Sequence, residues 1–497
     1  MEIKFDQTGC RCLRRLVSQV QQKEQTQEVR LPEAMPDIGR VLGCWGQVLV
    51  RGKEWNSTDM TVSGGIMAWA LYAPEDGSAP RSLETWIPFQ MKWELPQTDR
   101  DGFVCVIPKL RSIDARSTSA RKLMVRANIS MLGQAMLGEE EEIYRPTQIP
   151  EDVQLLTNVY PMELPMESGE KLFRLEEELA LPGTYPPVEE LLRYEMQMQI
   201  SEQKVMASRL VFKGKGTLRL LYCSEGQVYS WEAELPFSQF ADLDHDYGDS
   251  ADAKVLPMVT NLEVDLVDGK IMVKCAAAAQ FVVFDQTMIQ VTEDAYSPLR
   301  QAHCTHQQLA LPARLDHKSI PLQLTRSVEA TATKIVDATW LPDHPQRIQN
   351  EQVSALRLVG SMQVLYYDAA GELQSANVRY EQDQELHADG DACVEAILWE
   401  DGSVQAMING GEINLTSECI LDTAVYSGKS MTMVSALEME DTTQEDPHRP
   451  SLILCRYDST GLWQIAKENG STVEAIRRAN RLQSEPVQGQ MLLIPVS

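Results

Sequence analysis

Between Leu262 and Cys275 apolar side chains recur at every second position on both sides of an Asp-Gly pair. Leu262, Val264 and Leu266 alternate with Glu263 and Asp265. After Asp268-Gly269, Ile271, Val273 and Cys275 are separated by Met272 and Lys274. A period of two fits a half-buried strand and not a helix. Asp-Gly tolerates the positive φ angles that a tight hairpin turn demands. This segment is expected to be a β-hairpin, and it sets the reading of the rest of the body.

Other landmarks recur in one order. Leu-Pro pairs stand at Leu31-Pro32, Leu181-Pro182 and Leu311-Pro312. Each precedes an apolar run closing on a tyrosine: 66–72 with Tyr72, 216–222 with Tyr222, and 360–366 with Tyr366. A short aromatic segment follows, as Ile87-Pro88-Phe89, Leu235-Pro236-Phe237 and Val378-Arg379-Tyr380. A hairpin signal closes each copy. In the third it is 394–400, Asp401-Gly402 and 403–406. In the first, a longer loop at 114–120 precedes 121–125. Repetition at this spacing indicates tandem units, each near the size of a β-sandwich. The expectation is a mainly β chain of three sandwich-like repeats, at 1–138, 171–295 and 307–437. The alternative is one large β protein with accidental similarities. Residues 12–23 fit a helix or a strand. Glu139 to Glu142 opens a polar, proline-bearing connection running to about Lys171.

Residues 438–451 are acidic and nearly devoid of apolar side chains, so they are expected to be a flexible linker. The remainder, 452–497, reads as a small α+β (βααβ) module. Residues 452–455 suggest a strand. A helix starts near Thr460 or Gly461, with Leu462, Ile465 and Ala466 on one face and Gly470 at its end. Ser471 and Glu474 have capping-box spacing before a second helix through Val473, Ile476 and Ala479 to Asn480. Residues 491–494 suggest the second strand, stopped by Pro495.

Leu462-Trp463, Ile465, Ala466, Gly470, Ile476, Asn480, Leu492 and Ile494 give this segment a close resemblance to the LysM family. That resemblance implies binding of N-acetylglucosamine-containing glycans, peptidoglycan or chitin, between two loops. Here those loops carry Asp458, Ser459, Thr460, Gly461 and Leu462, and Gln483, Ser484 and Glu485. The Gly-Asp-Thr usual in the family is replaced by Ser459-Thr460-Gly461, which loses the acid. Trp463 is expected to be partly core and not a sugar platform.

The segment Leu31-Pro-Glu-Ala-Met-Pro-Asp-Ile38, with the later Ile-Pro-Phe, resembles the SPOCS repeats of spore-forming bacteria. Tandem SPOCS repeats ending in one LysM module resemble the SipL-like family of spore-coat assembly proteins, most strongly in copy one and the LysM end. The resemblance implies a non-enzymatic adaptor whose LysM module docks on the coat-scaffold ATPase, on the mother-cell side of the forespore surface. The alternative is a LysM-mediated cell-wall glycan binder.

Charge and motifs fit a binding protein. The formal charge of −27 repels phosphate backbones, so no nucleic-acid partner is expected. There is no basic leader ahead of an apolar stretch and no run of ~20 apolar residues, so a cytoplasmic chain with no transmembrane segment is expected. Ten cysteines without a Cys-x-x-Cys pair suggest buried free thiols. His303-Cys-Thr-His306 is a lone cluster in what reads as a connection, with no second half of a zinc site nearby. Phosphate loops, Gly-x-Ser-x-Gly and His-Glu-x-x-His do not occur. No enzyme, cofactor or metal site is expected. Gly214-Lys-Gly216 is expected to be a close packing point within a strand, and the acidic runs 139–142 and 176–178 to be solvated faces.

Overall fold

The computed structural model describes residues 1–349, 354–386, 392–427, 430–441 and 450–496. The first set of strands is β1 (Glu2–Arg30), β2 (Ile38–Trp55), β3 (Asp59–Pro74), β4 (Arg81–Glu94), β5 (Phe103–Ser119) and β6 (Lys122–Thr147). The second is β7 (Gln154–Leu179), β8 (Glu190–Ser224), β9 (Gln227–Tyr247), β10 (Asp252–Val267) and β11 (Lys270–Tyr296). The third is β12 (Arg300–Leu309), β13 (Arg314–Glu329), β14 (Ala332–Pro342), β15 (Gln346–Gln349), β16 (Ser354–Asp368), β17 (Leu373–Glu385), β18 (Cys393–Glu400), β19 (Gln405–Asn409), β20 (Glu412–Tyr426) and β21 (Met431–Asp441). The C-terminal module is β22 (Leu452–Arg456), α1 (Leu462–Glu468), α2 (Val473–Asn480) and β23 (Met491–Pro495).

Each set builds the same pair of sheets. One carries β1-β6-β5, β7-β11-β10 or β13-β20-β18; the other carries β2-β3-β4, β8-β9 or β14-β16-β17. β8 doubles back at Ala207, whose φ is 52°, and brings the Glu189 amide onto the Cys223 carbonyl at 3.1 Å. It therefore replaces β2 and β3 together. Alternation drives the packing: Leu123, Val125, Ala127, Ile129 and Met131 of β6 are all fully buried.

A single cross-strand pair marks the equivalent point in every set. Gly64 faces Phe89, Gly214 faces Phe237 and Gly360 faces Tyr380. A Cβ on any of these glycines would run into a carbonyl oxygen, that of Leu49, Gln199 or Leu341, and into the paired ring. Gly214 is thus a close packing point. Tyr72 and Tyr222, eight residues beyond their glycines, are fully buried and donate to the Pro36 and Pro186 carbonyls at 3.1 and 3.2 Å. Tyr366 comes only six residues after Gly360 and is partly exposed, so the third copy deviates there.

The strands run past the boundaries expected from sequence. Positions 138 and 171 fall inside β6 and β7, and 307 and 437 inside β12 and β21. The stretch from Glu139 is no single connection, because β6 continues to Thr147 and β7 resumes at Gln154. Residues 12–23 belong to β1, and His303 to His306 lie in β12. Residues 438–441 end β21, while 442–449 lie outside the described residues. Leu31-Pro32 and Leu181-Pro182 follow β1 and β7, but Leu311-Pro312 sits in the break between β12 and β13. The third hairpin is also elsewhere. β18 and β19 both pair with β20, and the turn lies at Gly410-Gly411, with φ 58° and 101°. Residues 114–119 are strand and not loop, with the turn at 120–121.

The long ribbons β1/β6, β7/β11 and β12/β21 extend beyond the sandwiches and pack side by side. Cys10, Ile143, Leu164, Ile289, Leu309 and Met433 form their common core. Where the three sets meet, Arg193 is 1% exposed; it lies over the Trp45 ring at 5.2 Å and pairs with Asp337 at 2.9 Å and Glu195 at 3.8 Å. Each set contributes one of those three groups. A cavity of about 250 Å³ adjoins, lined by Lys109, Arg219, Trp340 and Glu400 among others. All ten cysteines are free, and seven are buried.

Candidate functional site

The C-terminal module is a two-stranded sheet covered on one face by α1 and α2. Leu462, Ile465, Ala466, Ile476, Leu492 and Ile494 are buried between them. Gly470, at φ 56°, ends α1 and lets the Ser471 amide reach the Ala466 carbonyl at 2.9 Å. The N-cap of α2 is Thr472 and not Ser471: its Oγ1 accepts from the Ala475 amide at 3.1 Å. Ser471 is buried one residue earlier, and Glu474 pairs with Arg478 instead of closing a capping box.

The two expected loops share one root. Tyr457 donates its amide to Gln490 O (2.8 Å) and accepts from the Gly489 amide (2.7 Å). In the first loop the Asp458 carboxylate accepts from the Thr460 amide at 3.1 Å and hydroxyl at 2.7 Å, which holds its pKa below the ordinary value. This turn places Ser459 and Gly461 at φ 74° and 93°. Asp458 thus holds the loop closed from inside. Leu462 was expected on the binding surface, but its side chain is 3% exposed and belongs to the core. Gln483, Ser484 and Glu485 are exposed, and Glu485 pairs with Arg477. Among the described residues no hydrogen bond or ion pair joins 458–461 to 483–485.

The feature missed by sequence reasoning is a contact between this module and the body. The Trp463 Nε1–H donates to the Asp294 carboxylate at 2.8 Å, and Lys467 Nζ donates to both its oxygens at 2.8 and 2.7 Å. Partial burial pushes the Asp294 pKa up, but these donors outweigh it and leave the carboxyl below its ordinary range. The Tyr296 ring meets Trp463 edge-on, with centroids 4.8 Å apart, and its hydroxyl donates to Ser471 O at 3.0 Å. Tyr296 is 4% exposed, so the body supplies a residue of the module's own core. Burial pushes its hydroxyl up to about 12. A β-bulge between Thr292 and Asp294 re-aims the end of β11 towards the module. Trp463 is therefore partly core, as its sequence context suggests, and what it packs on is the body. No local signal in 290–296 announces this role.

His303 sits opposite Glu438 on the β12/β21 ribbon with its Nε2 3.5 Å from the Glu440 carboxylate, and His306 is exposed. Among the described residues no three His, Cys, Asp or Glu side chains are grouped to hold a metal. No helix among them is long and apolar enough to cross a membrane.

Residues 187–267 match the family described as SipL, SPOCS domain, and residues 462–495 match the LysM domain. The SPOCS match covers β8 to β10 of the second set, although the sequence resemblance is clearest in the first. Both are binding domains, the first associated with sporulation and the second with carbohydrate recognition. Neither a curated protein nor a solved structure matches the chain.

Proposed function

We propose that this chain is a non-enzymatic adaptor in spore-coat assembly. Its LysM module docks on the coat-scaffold ATPase at the mother-cell side of the forespore surface, and three SPOCS-like domains carry it. The observation that supports this best is the Asp294–Trp463–Tyr296 contact. It spends the aromatic of α1 on the body and fixes the module as an oriented head. Asp458, Ser459, Thr460 and Gly461, with Gln483, Ser484 and Glu485, then face outward beside the partner. Joining body and head in one chain raises the effective concentration of the second contact once the first is made.

The test is a localisation and binding pair. Deleting 452–497 should abolish recruitment to the forespore and capture by the purified scaffold ATPase. Unchanged recruitment sinks the proposal. The LysM match supports a second reading, glycan binding through the same exposed loops. Saturable binding of chitin or peptidoglycan fragments by the full chain, lost in Thr460→Ala, would favour it.

A further inference from the structure

The module's sheet has two faces, and α1 and α2 cover one. On the other, β22 presents Leu452, Leu454 and Arg456, and β23 presents Met491 and Leu493. The register places Leu454 opposite Leu493 and Arg456 opposite Met491. With the whole chain in place, Leu452, Leu454, Met491 and Leu493 remain 52%, 61%, 51% and 39% exposed. Four large apolar side chains on so small a sheet make a contiguous patch of the kind that marks an interaction site. Arg456 ends the row, lying against Gly489 at the root of the two loops. Among the described residues no carboxylate pairs with it, and no carboxylate occurs among the residues of this face.

We infer that this outer sheet face is a docking surface for an amphipathic helix of a partner protein that carries a carboxylate at one end of its apolar stripe. The inference deepens the adaptor reading and rests on it. Two strands roughly 4.8 Å apart offer a face about 10 Å wide, the width of one helix. Along β22, alternate residues are spaced by about 6.8 Å, so Leu452, Leu454 and Arg456 span about 14 Å. Helix positions i, i+4 and i+8 span about 12 Å. The matching stripe is apolar at i and i+4 and acidic at i+8. A second copy of the chain fits poorly. A twofold interface sets this face against itself and brings Arg456 no carboxylate. A sugar also fits poorly, because the face offers neither an aromatic platform nor hydrogen-bonding side chains beyond Arg456.

The experiment measures binding of the full chain to the purified scaffold ATPase, with Leu454→Ser, Arg456→Glu and Arg478→Ala compared with wild type. Both Leu454 and Arg456 are exposed, so an unchanged Tm certifies the fold of each variant. The expected result is at least a tenfold loss of affinity for Leu454→Ser and Arg456→Glu, and none for Arg478→Ala, whose exposed side chain on α2 pairs with Glu474. Wild-type affinity in both variants overturns the surface and leaves the adaptor reading standing. No binding by the wild-type chain overturns the adaptor reading and this surface with it. Self-association of the wild-type chain in sedimentation, lost in Leu454→Ser, overturns the helix in favour of a second copy.

Discussion

Replacing Asp294 by alanine should release the LysM module from the body while leaving both folded. The Trp463 N–H and the Lys467 ammonium both donate to this carboxylate. Leaving a half-buried indole N–H without an acceptor costs about 1–2 kcal/mol. The Lys467 side chain is 38% exposed, so solvent screening limits its ion pair to roughly 0.5–1 kcal/mol. Together they amount to about 1.5–3 kcal/mol, roughly one to two orders of magnitude in the docking equilibrium. Adding Tyr296→Ala removes a buried aromatic and about 3 kcal/mol more. The assay is backbone ¹⁵N relaxation of residues 450–496. Docked, they tumble with the whole chain; released, their lines sharpen. Acid gives an internal control. The Asp294 pKa is depressed on docking, so the contribution is complete above the ordinary carboxylate range and is lost as pH falls through the depressed value. Asp294→Ala should abolish that acid dependence. If the double variant relaxes like the wild type, Asp294 and Tyr296 do not hold the module.

Three further outcomes test the body. His344 is 2% exposed, and burial, reinforced by the Lys109 charge, pushes it down to about 3. The unfolded chain protonates it below about 6.5, so stability should fall by about 2 kcal/mol from pH 7 to pH 5, and urea titration of His344→Gln should show that slope removed. Arg193→Ala leaves Asp337 without its buried partner, while Glu195 keeps Arg219, and should cost about 3–5 kcal/mol in urea unfolding, most of it recovered when Asp337→Asn is added. Gly360→Ala places a Cβ 2.5 Å from the Leu341 carbonyl and should lower stability by about 2 kcal/mol, whereas Gly183→Ala meets nothing within 4 Å and should stay within about 0.5 kcal/mol. Equal Tm values for the two glycine variants would refute the packing argument.

Local chemistry was readable where one residue type admits one conformation. Asp268 and Gly269 adopt φ 50° and 77°, and the β10/β11 register follows from them. The LysM helices were equally plain, because apolar spacing and Gly470 fix both. Reading failed where two local answers were equally good. Asp401-Gly402 has turn chemistry, yet Gly410-Gly411 makes the hairpin. Leu-Pro can end a strand or interrupt one, so Leu311-Pro312 passed for a third copy of a landmark. Ser471 and Thr472 can both cap, and burial of Ser471 leaves the task to its neighbour. The residues 458–461 and 483–485 do lie in loops, as their small polar chemistry suggests, whereas the apolar side chain of Leu462 follows the core. The Trp463–Asp294 contact joins residues 169 apart. A contact at that separation leaves no periodicity to read.

The pairing of β1 with β21 has a consequence for synthesis. Glu2 lies opposite Glu438 and Ile3 opposite Leu437, so β1 is completed by β21, more than 400 residues later in the chain. Contacts that distant in sequence fold slowly, because a long loop must close before they form. During translation β1 can take β6 as soon as residue 147 emerges, but its early edge waits until β21 emerges. An unpaired strand edge is the feature that recruits other chains. The nascent body is therefore most exposed to misassembly just before β21 arrives, and truncations that stop short of residue 431 should be the aggregation-prone ones.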